Sequence, residues 1–84
     1  MSEQDVARGL RAEQLLGDEM LKGAFAALKA EYQKAWENSP PRDTDGRERL
    51  WQAFQIVGRV ETHLTSILND GKIAQHELSR LTRG

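Results

Sequence analysis

The chain has 84 residues, 30% charged and 38% hydrophobic, and its 12 basic and 13 acidic residues nearly cancel. That length allows one small domain, residues 1–84, and the charge balance excludes a global polycation drawn to nucleic acid or to an anionic membrane. With no cysteine, disulfides and thiolate metal sites are excluded. No apolar run reaches transmembrane length and MSEQDVARGL has no signal-peptide core, so the expected location is the cytoplasm.

Residues 3–16 (EQDVARGLRAEQLL) are good helix formers whose apolar positions keep no single face. Val6 and Leu10 align, Leu15 and Leu16 point elsewhere, and Gly9 weakens the segment further. This predicts a short helix ordered against a partner. Gly17-Asp18 reads as a helix stop followed at once by a helix start.

Residues 18–37 then predict a long amphipathic helix. Met20, Leu21, Ala24, Phe25 and Leu28 share a broad arc with Tyr32, Ala35 and Trp36, while Lys22, Lys29, Gln33 and Glu37 face away. Residues 38–44 (NSPPRDT) are the one obvious loop, because two prolines remove amide donors and bias Ser39 away from helix.

Residues 45–70 predict the second long helix, with Asp45 and Glu48 as a D-x-x-E capping box. Gly71 is expected to end it in the left-handed conformation at C′. Residues 72–82 would then form a last short helix presenting Ala74, Leu78 and Leu81. A short loop between long helices makes them antiparallel neighbours. Folding about Arg42 sets Trp36 near Leu50 and Trp51, Tyr32 near Phe54, Leu28 near Val57 and Leu21 near Leu64. The expected fold is therefore all-α: an antiparallel hairpin of two long helices with short helices at both ends. Two such broad apolar arcs hide each other only in part; either the short terminal helices cover the rest, or a second copy does in a dimeric bundle or a larger oligomer.

Two residues interrupt the arc of the second long helix. Glu61 projects into its middle, either as a carboxylate paired with a lysine at a rim or as a buried polar group fixing register or oligomer state. Gly58 sits at its edge, where it would leave room for a neighbour's side chain.

Catalytic, cofactor and metal residues are not expected. His63 and His76 belong to no H-E-x-x-H, and Glu61 and His63, two apart on a helix, point in nearly opposite directions. No phosphate-binding glycine motif or nucleophile elbow is present. For nucleic acid, Arg42, Arg47 and Arg49 cluster near the loop and Lys72, Arg80 and Arg83 near the C-terminus, so a ring of copies would multiply either group into a basic belt. Asp43, Asp45 and Glu48 interleave with the first cluster and offer Arg47 and Arg49 surface partners instead. For protein partners, the anchors would be Phe25, Tyr32, Trp36 and Trp51, with Glu61 as a register element. The same aromatics would serve equally as intrachain core. A small-molecule substrate and membrane adsorption are not expected.

One pattern runs through most of the chain: Ala12, Leu15-Leu16, Ala35-Trp36, Arg42-Asp43-Thr44, Arg47-Glu48, Leu50-Trp51, His63-Leu64 and Gly71-Lys72. It resembles small helical proteins of unassigned role encoded by tailed bacteriophages and prophages, near head-assembly and packaging genes. The resemblance implies a non-enzymatic role in protein–protein interaction or virion assembly. The alternatives are a small-terminase-like oligomer that binds DNA for packaging and a phage-encoded inhibitor that docks a host protein.

Overall fold

The computed structural model describes residues 2–83, Arg83 by its backbone alone. Among the described residues the fold is all-helical, with α1 (Glu3–Leu16), α2 (Glu19–Asn38) and α3 (Thr44–Arg83). None of these helices is long and apolar enough to cross a membrane.

The starts of α1 and α3 are fixed locally. At α1, Ser2 Oγ accepts from the Asp5 amide at 3.3 Å and Asp5 Oδ2 accepts from the Ser2 amide at 3.0 Å, a reciprocal box that satisfies two otherwise orphaned donors. Gly17 ends α1 with φ −89°, so the stop is made without a left-handed residue. At α3 the cap is Asp43 and not Asp45. Asp43 Oδ1 accepts from the Gly46 amide at 3.0 Å and its carbonyl accepts from the Arg47 amide at 2.9 Å. A Cβ at Gly46 would run into the Asp43 carboxylate, so glycine at that position leaves the cap its space.

The expected break at Gly71 does not occur. α3 runs through Asn69-Asp70-Gly71 as one helix of 40 residues, and no described glycine has positive φ. The separate helices expected over 45–70 and 72–82 are one element. The physical reason is tertiary: Gly71 is buried against α1, and that packing offsets the roughly 1 kcal/mol that a mid-helix glycine costs relative to alanine.

The residues fall into two compact units, one joining α1 to α3 from Thr62 onward, the other joining α2 to α3 up to Glu61. In the first, Gly9 and Ala12 of α1 are buried, as are Gly71 and Ala74 of α3. A Cβ on either glycine would lie 2.6 Å from the other's Cα, so the two backbones touch. The carbonyls of Ile67 and Asp5 lie beside the opposing glycine, 3.3 and 3.0 Å from where its Cβ would be. Gly9, a weak point in the sequence, is thus the contact point of α1.

In the second unit, Val57 is the one described hydrophobic residue that is buried. Across both units no large described side chain is fully buried. The packing is built from small residues and from partly covered large ones.

Candidate interaction site

The best-formed cleft lies in the second unit, where the end of α2 meets the start of α3. It is an open space of about 250 Å³ lined by Tyr32, Gln33, Trp36, Glu37, Leu50, Trp51 and Phe54. Three of the five interface residues expected from sequence, Tyr32, Trp36 and Trp51, line it; Phe25 and Glu61 do not. Trp51 and Phe54, three residues apart on α3, stack with ring centroids 6.2 Å apart and planes 15° from parallel. Trp51 is 55% exposed and Trp36 is 40% exposed.

Arg47 holds this end together. Its guanidinium carbon sits 4.1 Å from the centroid of the Trp36 ring, within cation–π range. Its Nη1 also donates to the Trp36 carbonyl at 3.2 Å, the Ser39 carbonyl at 3.2 Å and Ser39 Oγ at 2.9 Å. Ser39 Oγ in turn donates to the Trp36 carbonyl at 2.6 Å. One side chain therefore ties together oxygens at the end of α2 and just past it and covers a tryptophan face. The sequence offered Arg47 two roles, phosphate contact or surface pair with an acid; within the chain its guanidinium meets Trp36 and Ser39. The available signal was its place on the first turn of α3, four residues after the cap, opposite Trp36 and Ser39 across a short loop.

Glu61 meets Lys29 of α2 at 2.8 Å from Oε1 to Nζ, with both side chains about one-third exposed. Oε1 itself is shut off from solvent and faces the ammonium group. Within the chain Glu61 is paired with a lysine, as one of its two readings had it.

Arg42, Arg49 and Lys72 are exposed; Arg80 lies 3.3 Å from Glu77 one turn earlier on the same helix. The Arg83 side chain lies outside the described residues. The structure does not join the first cluster into one basic surface, since Arg47 is half-buried in the loop contact.

His63 and His76 are exposed. His63 lines a second, polar cleft in the first unit with Asp5, Arg8, Ser66, Ile67 and Asp70, where acids and a base alternate. Among the described residues no group of three or more histidines and carboxylates is placed to hold a metal. Comparison of the chain with family models, curated proteins and solved structures finds no match.

Proposed function

We propose that this chain is a non-enzymatic, phage-type assembly protein that works by binding other protein chains, first of all copies of itself. The observation that carries this reading is the incompleteness of the core. Among the described residues only Ala12, Val57 and Ala74 are buried hydrophobics, and no large side chain is fully buried. Large apolar side chains stay open within each unit: Leu28, Ile56, Val60 and Ile73 are 40–56% exposed. Burying them stabilises by roughly 25 cal/mol per Å² of apolar surface, and another chain is the available cover.

Within the second unit, the reading treats α2 and the first part of α3 as an antiparallel hairpin. Support comes from the order of its contacts: Trp36 meets Arg47, and further along Lys29 meets Glu61, so one number falls as the other rises. The phage setting rests on the R-D-T…R-E…L-W resemblance, and places the protein in the host cytoplasm before it enters a particle. The test is absolute mass by light scattering after gel filtration at two protein concentrations. A dimer or larger assembly at both is expected; a monomer at both overturns self-association.

The exposed aromatic cleft favours a second reading, a phage-encoded inhibitor docking a host protein through the Trp36–Trp51 end. It predicts a stable monomer with that patch open. A DNA-packaging oligomer predicts DNA affinity that falls steeply with salt. Its support is thinner, because Arg47 and Arg80 already have protein partners.

A further inference from the structure

We infer that the cleft between the end of α2 and the start of α3 is a receptor for one arginine side chain of a different protein, held between the aromatic rings and the Glu37 carboxylate. The inference rests on the reading that the chain works by binding other protein chains, and it names the chemistry of one such partner.

The site lies within one compact unit, since all its lining residues fall in Glu19–Glu61. Four of the seven, Tyr32, Trp36, Trp51 and Phe54, are aromatic. Tyr32 and Trp36 are four apart on α2, Trp51 and Phe54 three apart on α3, so each pair projects from one side of its helix. An aromatic ring carries negative charge density on its face and attracts a cation placed over it. Trp51 stacks on Phe54 and still keeps 55% of its surface exposed. The space of about 250 Å³ falls below the roughly 300–1,000 Å³ of pockets that enclose a small molecule, and it suits a single side chain.

The charge of the lining has one sign. Glu37 is its one ionised residue, and Gln33 steadies it, donating from Nε2 to Glu37 Oε1 at 3.3 Å. That amide is neutral, so it leaves the carboxylate its charge. An acidic partner is repelled by this lining, and an apolar one leaves the carboxylate unpaired beside it.

The molecule contains its own example of the contact. Arg47 sets its guanidinium carbon 4.1 Å from the centroid of the Trp36 ring. Arg47 is outside the lining, and its Nη1 is turned to the Trp36 carbonyl and to the two oxygens of Ser39. A second guanidinium, entering the cleft, lies on the open part of Trp51 in the same manner and turns its edge to Glu37. A carboxylate accepts two parallel N–H bonds from that edge, whereas an ammonium offers a point charge with no flat face. The exposed arginines at this end, Arg42 and Arg49, stand among Asp43, Asp45 and Glu48. A second copy would bring those acids against Glu37, so the occupant is a different protein.

The probe is acetyl-arginine amide, titrated into the full chain and followed by NMR at the indole N–H signals of Trp36 and Trp51. Acetyl-citrulline amide is the control, close in shape and uncharged. Arginine amide is expected to shift the Trp51 signal saturably, and citrulline amide to bind about tenfold more weakly, the scale of a partly desolvated cation over a ring. Glu37→Gln, at an exposed position, should weaken arginine several-fold and leave citrulline unchanged. Trp51→Ala should abolish the response read at Trp36; should that chain lose its helical circular dichroism, Glu37→Gln decides. Equal binding of the two probes, or unchanged arginine affinity in Glu37→Gln, overturns the cation assignment. Saturation by neither probe overturns the inference as a whole. A Trp51 signal that moves with chain concentration before any probe is added puts a copy in the cleft and overturns the choice of partner. Self-association is judged apart, by the mass of the chain without probe.

Discussion

Gly71→Ala and Gly23→Ala are the same chemical change in two helices, and the structure gives them opposite signs. Alanine exceeds glycine in a helix interior by roughly 1 kcal/mol, so local preference alone makes both stabilising. At Gly23 an added Cβ meets nothing within 4 Å, and the full gain is expected. At Gly71 the added Cβ meets Gly9 Cα at 2.6 Å, the Asp5 carbonyl at 3.0 Å and the Gly9 amide nitrogen at 3.2 Å. These are backbone atoms and no rotamer change relieves them. Carbon atoms pack at about 3.5–4.0 Å, so α1 must retreat by about 1 Å along its contact. Overpacking of this kind costs about 1–3 kcal/mol, which outweighs the helical gain and leaves a net loss on the order of 1 kcal/mol. The assay is urea unfolding followed by far-ultraviolet circular dichroism at one fixed chain concentration, because an associating chain has a concentration-dependent midpoint. Gly23→Ala should raise the midpoint and Gly71→Ala should lower it. A Gly71→Ala chain stabilised as much as Gly23→Ala would refute the contact between α1 and α3.

Two further outcomes follow from local geometry. Asp43→Ala should cost about 1 kcal/mol through loss of the α3 cap, whereas Asp45→Ala, which removes no capping bond, should cost a few tenths; equal losses in chemical unfolding would contradict the assignment of the cap to Asp43. Arg47→Lys should restore little of what Arg47→Ala loses, since an ammonium cannot both lie flat on the Trp36 ring and bridge to Ser39. In a Trp51→Phe background, tryptophan emission reports on Trp36 and should shift towards that of exposed indole in both Arg47 variants; an unshifted spectrum in Arg47→Ala would count against the stacked guanidinium.

The sequence by itself determined what depends on neighbours within a turn or two. Helical character, the stop at Gly17-Asp18 and the proline loop follow from propensity, capping chemistry and missing amide donors, all of which act over a few residues. Glu61 was legible as an exception in an apolar arc, with a lysine partner as one of its readings, because a buried carboxylate without a partner is costly. What only the tertiary structure decided are the positions where a distant segment outweighs local preference. Gly9 and Gly71 look like defects in one dimension, because glycine weakens any helix taken alone; against each other they let two backbones touch, and α3 continues past the expected stop. Arg47 was read as a phosphate contact or as the surface partner of an acid, because sequence shows the charge but not the tryptophan ring and the Ser39 oxygens that it meets. Trp36 and Trp51 were expected as neighbours at one end, and they line one cleft. Periodicity showed that the two arcs were too broad to hide each other fully, but not which residues stay open, because it records which residues share a face and not what covers each.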